Sequence, residues 1–455
     1  MMDGSMPPEG NPNSFRSILG EKNFARLWYG QIISSLGDRF YQFALLYVIL
    51  GIKQGMYVGK DSAQVTFLAM LPGFLLAPLY GWTIDRYSRR WVMFYADIAR
   101  AGLTLTVLYF WFTLHSLFAV YAVVFLMGAG NGLFIPARQA ALPQIVGQGQ
   151  LVTANSLISL IGVIANFIGL PVASFIVSIF GGFSSFLFNA MGFLASAWCI
   201  YHISADLKPN RDTTAPRETM WGGVLGGWNV LREQPELRAI VIVNSAFSFI
   251  SAMVLISILQ QIVVSVDLHS VQLLVNTLVK YLAMIAPKPP VFDIRMLAFG
   301  ILMAAIGLGL GLGVALCGLS KKYSHAKALP FLALALLGLA LVGFATIHEY
   351  WPAVLGAAFM GILSAFIVVP IEARLQNDVD DARRGRLFAL RNLCTTTSFL
   401  TGLAVNLNGY LLDPKVLGPA RLIGLVGGTA IAMAVVLALA NARSLSSFWS
   451  ARPKP

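Results

Sequence analysis

The stretch Gly81-Trp82-Thr83-Ile84-Asp85-Arg86-Tyr87-Ser88-Arg89-Arg90 decides the fold class. It straddles the end of one apolar run, Val65 to Ile84, and the start of the next, Trp91 to Leu114. One aspartate and three arginines within ten residues cannot sit in hydrocarbon. The stretch therefore reads as a tight loop at a membrane surface, joining two membrane-crossing segments.

Composition agrees. Of 455 residues, 57% are hydrophobic and 11% charged, with mean hydropathy +0.73. A soluble domain carries roughly 25% charged residues, so a soluble globular chain is excluded. Apolar runs of about 20 residues recur along the whole length, the signature of a polytopic helical membrane protein. A β-barrel would instead show short alternating segments. The net charge of +12 is spread one loop at a time, with no basic stripe of the kind that binds nucleic acid. Cys199, Cys317 and Cys394 all fall in apolar runs and imply neither a disulfide framework nor a metal site. Met1 to Asn13 is polar and lacks a basic segment followed by an apolar core, so it reads as a short tail rather than a cleaved signal.

Twelve spans are expected, near 28–50, 63–84, 92–114, 118–137, 153–177, 184–203, 239–264, 297–318, 328–347, 352–373, 387–412 and 421–441. Twelve spans put both ends of the chain on one side. The tails and loops on that side hold 22 of the 32 Lys and Arg residues, and those opposite hold 6. This asymmetry places both termini in the cytoplasm. The domain plan is a tail at 1–27, a six-helix bundle at 28–203, a cytoplasmic linker at 204–238, a second bundle at 239–441 and a tail at 442–455. Within the linker, Leu225, Trp228 and Leu231 recur at helical spacing, predicting a helix on the membrane surface. The long external segment 265–296 carries Val271, Val275, Leu278 and Leu282 on one face and Gln272, Asn276 and Lys280 on another. It predicts an interfacial helix, broken by Pro287, Pro289 and Pro290. A faint repeat joins the halves at an offset near 236 residues: Tyr87-Ser88 matches Tyr323-Ser324, and Leu151 to Leu157 aligns with Leu387 to Leu393. Parallel six-span repeats are the trace of a transporter with a midplane site.

The spacing Gly-x-x-x-Asp-Arg-x-x-Arg-Arg at 81–90 resembles the loop between helices 2 and 3 of major facilitator superfamily transporters. Thr83 and Ser88 stand where Leu and Gly are usual in that pattern. Ser34-Ser35-Leu36-Gly37-Asp38, Pro136-Ala137-Arg138-Gln139-Ala140-Ala141-Leu142-Pro143, Ala154-Asn155-Ser156, Pro235-Glu236-Leu237-Arg238 and Arg384-Gly385-Arg386 are similar to the enterobactin-exporter and macrolide-efflux branch. Gly37-Asp38, together with Phe366 to Pro370 and Leu375-Gln376, also resembles the bacterial lysophospholipid transporter. The resemblance implies an all-α membrane fold of two six-helix bundles, transport activity and a bacterial inner membrane. It also implies that Asp85 is part of a cytoplasmic latch.

Asp38 lies 11 residues into a span starting near Leu27, which at about 1.5 Å per residue is ~16 Å deep. That is close to the middle of a ~30 Å core, where an ionisable group costs at least ~2.5 kcal/mol unless solvated or paired. Asp38 reads as a proton or substrate-cation site, or as a structural contact between helices. Arg39 points about 100° away from it, so at least one of the two needs another partner. Asp97 and Arg100, one turn apart, predict an ion pair close to the cytoplasmic surface. Glu372 and Arg374 are expected at the interface, with Glu372 a second candidate for cation coupling. Asn131, Asn166, Asn244 and Asn406 either line a cavity or join helices. Gly162, Gly169 and Pro171 allow close helix contact and a local kink. As an anion, Asp85 suits the positive end of the helix starting near Leu387, or Arg138. Gly81, Asp85, Arg86, Arg89, Arg90, Asp97, Arg100, Arg138, Arg384, Gly385 and Arg386 form the candidate cytoplasmic gate.

No phosphate-loop motif and no metal-ligand spacing occur, so neither cofactor nor enzyme activity is expected. The reading is a secondary transporter acting as a monomer in the lipid bilayer, exporting a small amphipathic molecule against a proton gradient. Lysophospholipid transport and a transport-inactive receptor or scaffold are the alternatives.

Overall fold

A computed structural model describes residues 15–53, 58–114, 116–146, 150–165, 169–208, 220–283, 294–319, 328–377, 381–407 and 409–440. The described chain is almost entirely helical and divides into two compact units, 1–45 with 68–213 and 46–67 with 214–455. In chain order the helices are α1 (Phe15–Gly20), α2 (Lys22–Lys53), α3 (Val58–Leu75), α4 (Ala77–Arg86), α5 (Arg89–Leu114), α6 (Leu117–Val146), α7 (Leu151–Ile164) and α8 (Leu170–Tyr201). They continue with α9 (Met220–Glu233), α10 (Pro235–Val264), α11 (His269–Ala283), α12 (Ile294–Leu319), α13 (Leu329–Ala345), α14 (Tyr350–Asn377), α15 (Asp381–Val405) and α16 (Pro419–Ala440).

Among the described residues seven helices are long and apolar enough to cross a membrane, and α3 with α4, bent by 54°, makes an eighth. The bend has a local cause. Pro78 stands at the start of α4 and has no N–H to continue the ladder, and Pro72 lies in the last turns of α3. Two of the remaining expected spans fall on α2 and α15, whose charged residues lower their hydropathy. Another falls on α13, which is 17 residues long.

Several boundaries differ from the sequence reading. Residues 81–86 are the last turns of α4 rather than loop, because Tyr87 N–H still donates to the Thr83 carbonyl (3.0 Å). Only Tyr87 and Ser88 break the helix. Residues 170–201 form one helix across 178–183, where a connection was expected. Helix satisfies every backbone group internally, and in apolar surroundings that outweighs the low helix propensity of Gly181 and Gly182. The linker helix ends at Glu233, since Pro235 opens α10.

In the first unit, Leu27, Met93, Phe134, Ala137, Ile200 and Ile203 form one buried cluster. Ile18, Phe24, Leu142 and Leu157 form a second, where Trp28 Nε1 donates to the Leu157 carbonyl (2.9 Å). In the second unit the helices meet through small residues. A Cβ on Gly309 would collide with the Ala358 carbonyl, and one on Gly338 would sit 2.5 Å from the Gly427 carbonyl. Without a solvent-driven hydrophobic force, such close contact is what holds helices together in a membrane. Segment 58–67 is tied into the same unit: Gly59 N donates to Gln260 Oε1 (2.7 Å), and Gln64 Nε2 to the Leu407 carbonyl (3.4 Å). Nearby, Gly409 holds φ +68°, a conformation that favours glycine. The helix expected within 265–296 forms at His269–Ala283. Val271 and Val275 are buried, and Gln272 Nε2 donates to Asn276 Oδ1 (2.9 Å). The side chains of Leu278 and Leu282 and the three prolines lie outside the described residues.

Candidate functional site

Asp38 sits halfway along the 32-residue helix α2. Its neighbour Gly37 lets α8 come close: a Cβ there would lie 3.1 Å from the Asn189 Cα. That contact sets α8 against α2 at Asp38, whose carboxylate feels Asn189 and the opposite charges of Arg100 and Arg39. Asn189 is fixed in turn, its Oδ1 accepting from Thr104 Oγ1 (2.9 Å) on α5. Arg39 turns away along α2 and donates from Nη1 to Gln42 Oε1 (3.1 Å), so the two neighbours take different partners as the helical geometry requires. A Cβ on Gly169 would press on Arg39 Cγ at 2.9 Å, which accounts for a glycine there.

Arg100 is the hub beside this carboxylate. Its Nη2 donates to Asp97 Oδ1, and its Nη1 to Asn131 Oδ1 on α6 (3.2 Å). Its guanidinium carbon stands 4.7 Å from the Phe134 ring centroid and 4.3 Å from that of Phe193. Rings on both sides add cation–π attraction in a dry place. Side-chain exposure is 4% for Arg100 and 0% for Asp97, so the expected pair forms and is buried. Arg138 donates from Nη1 to Gln31 Oε1 on α2 (2.6 Å). It does not take Asp85, which is exposed at the end of α4 near Arg89.

The rest of the basic stretch braces the α4–α5 corner. Arg89 N donates to the Leu207 carbonyl (3.0 Å) and Arg90 Nη1 to that of Ile203 (2.7 Å). Arg86 lies over the Trp82 ring at 5.3 Å. Gly81 has open space where a Cβ would be, so no close approach explains it.

The second unit carries its own ionic centre. Arg391 of α15 donates from Nη2 to Glu372 Oε1 of α14. With the Asn244 amide turned so that its oxygen faces the guanidinium, Oδ1 accepts from Arg391 Nε (2.7 Å) and Nη2 (3.1 Å). Three helices thus meet at one polar point. Arg374 is buried and donates to Glu236 Oε2 of α10 (3.1 Å). Asn406 is buried, and its Nδ2 reaches the Gly402 carbonyl of its own helix (3.4 Å) and Met253 Sδ (3.4 Å); it joins helices. Arg386 packs on Gly226 of α9, where a Cβ would sit 2.6 Å from Arg386 Cδ. Asn166 lies outside the described residues, and of Arg384 and Gly385 only the helical backbone is described.

Sequence reading passed over Gln31, Thr104, Asn189 and Arg391 as site residues. The available signal was a polar side chain inside an apolar run, which these residues share with many helix-joining ones.

Apolar helices long enough to cross a bilayer, carrying buried ionic clusters, define an integral membrane protein with a transport-type interior. The chain belongs to the Major Facilitator Superfamily, whose family model matches residues 27–403. It is 24% identical to the lysophospholipid transporter LplT of Photorhabdus laumondii, over 89% of this chain and 92% of that one. It is 26% identical to macrolide efflux protein A of Streptococcus pyogenes, over 50% of this chain and 55% of that one. Its fold is similar to that of a bacterial homologue of the iron transporter ferroportin, with TM-score 0.61 and 15% identity over 90% of this chain and 98% of that one. The protein is thus a transporter, as its family and relatives are, and not an enzyme.

Proposed function

We propose that the protein is a proton-coupled secondary transporter that exports a small amphipathic molecule by alternating access. It would cross a bacterial inner membrane twelve times, with both termini in the cytoplasm. The observation that carries the coupling is the place of Asp38, midway along α2 with Arg100, Arg39 and Asn189 as its surroundings. A carboxylate held there can exchange a proton as its surroundings change, and its neighbouring cations make the exchange sensitive to any movement of α5. Relatives named for macrolide efflux and for lysophospholipid transport support an amphipathic substrate. Lysophospholipid transport is the second reading, favoured by the length of the likeness to LplT. The corner at 81–90, with Asp85 exposed on it, is assigned to a cytoplasmic gate.

The test is uptake into proteoliposomes under an imposed pH gradient, run with lysophospholipid and cationic drugs. Asp38→Asn should abolish gradient-driven uptake while leaving the protein folded. Normal uptake by this variant would overturn the coupling role.

A further inference from the structure

The second unit holds a half-open cavity of ≈ 240 Å³, none of whose lining residues belongs to the ionic centre. Phe247, Ile250, Val254 and Ile258 line it from α10, with Met303 from α12 and Leu337 from α13. Met360 and Ser364 of α14 complete the wall. The Ser364 hydroxyl is turned to its own helix, donating to the Met360 carbonyl (2.8 Å). The wall is therefore almost wholly apolar. From Phe247 to Ile258 the lining follows α10 for 11 residues, about 16 Å of helix.

The polar centre of the same unit is built from three of the helices that line this cavity, α10, α14 and α15. Asn244 is less than one turn from Phe247 on α10. Ser364 and Glu372 on α14, and Phe399 and Arg391 on α15, are each eight residues apart, about 12 Å. The ion pair is not sealed: the Arg391 side chain is 16% exposed and that of Glu372 32%. A cation and an anion side by side, next to a narrow apolar slot, complement a molecule with a dipolar head and one apolar tail.

We propose that the slot along α10 and the Asn244–Glu372–Arg391 centre form one binding site for a single-chain zwitterionic amphiphile. The tail fills the slot, the head's anion turns toward Arg391, and its cation turns toward Glu372. The proposal deepens the amphipathic-substrate reading and rests on it. A lysophospholipid and a synthetic alkyl zwitterion share this chemistry, and the probes separate them.

The experiment is equilibrium binding of radiolabelled lysophosphatidylcholine to the full-length protein in lipid nanodiscs, with no pH gradient. Competitors are alkylphosphocholines of increasing tail length and quaternary ammonium amphiphiles with the same tails but no anion. Met360→Trp fills the slot and should weaken long-tailed phosphocholines about tenfold while moving the preferred tail shorter. Met360→Ala enlarges the slot and should move the preferred tail longer. Arg391→Gln should weaken the phosphocholines more than the quaternary ammonium compounds. Displacement by alkylphosphocholine as strong as by unlabelled lysophosphatidylcholine assigns recognition to head and tail alone; weaker displacement assigns part of it to the glycerol. Equal loss for every tail in both Met360 variants, or no saturable binding to the native protein, would overturn the site. The gradient assay on Asp38→Asn fails or succeeds separately: absent binding alongside Asp38-dependent uptake of another amphiphile would remove this site and leave the coupling role standing.

Discussion

Arg100 is the residue on which the first unit's polar interior turns. It answers Asp97 on its own helix, holds Asn131 on the next, and acts on Asp38 as an opposite charge. Removing one partner of a fully buried pair leaves an uncompensated charge, a loss of about 3–5 kcal/mol. Asp97→Asn and Arg100→Met should each lower thermal stability by an amount in that range. The double variant should cost less than the sum of the two single changes, because their shared contact is lost only once. Thermal unfolding of the four proteins in detergent checks this; a double variant as unstable as the sum of the singles would show that the pair is not coupled. In the second unit Arg391 has the same place among three helices, with Glu372 on α14 and Asn244 on α10 as its partners across helices.

At the scale of elements, glycines decide which helices dock. A Cβ on Gly227 of α9 would lie 2.5 Å from the Arg386 carbonyl oxygen and 2.9 Å from Leu390 Cβ. The linker helix is thereby held against the start of α15, the helix that carries Arg391. Its Leu231 is buried, while Leu225 and Trp228 stay exposed. Gly102 of α5, by contrast, has nothing within 4 Å of its Cβ position. Alanine is favoured over glycine in a helix by about 0.8–1.0 kcal/mol. Gly102→Ala should therefore raise thermal stability slightly. Gly227→Ala should lower it, because a backbone oxygen cannot move aside as a flexible side chain would. A stabilising Gly227→Ala would show that α9 is only loosely held. The spacing of Leu225, Trp228 and Leu231 was enough to foresee this helix, but not its docking surface, which is made of residues without side chains.

For the molecule as a whole, charge asymmetry gives the clearest prediction. With 22 of 32 basic residues in the tails and loops on one side, a tag at either end should be cleaved by protease in inverted membrane vesicles and protected in intact spheroplasts. Cleavage of one tag alone in either preparation would break the even span count. The sequence by itself determined the membrane class, the helical architecture and the Asp97–Arg100 pair. Apolar runs set by bilayer thickness, and pairs set by the 3.6-residue period, are local properties of a chain. Tertiary structure alone decided that Thr104 holds Asn189, that Arg138 takes Gln31, and that Glu372 meets Arg391. Those partners lie on different helices, and their meeting depends on how closely the backbones approach. At Gly37, a missing Cβ lets α2 and α8 come together, and no periodicity in the sequence announces which helix fills the space.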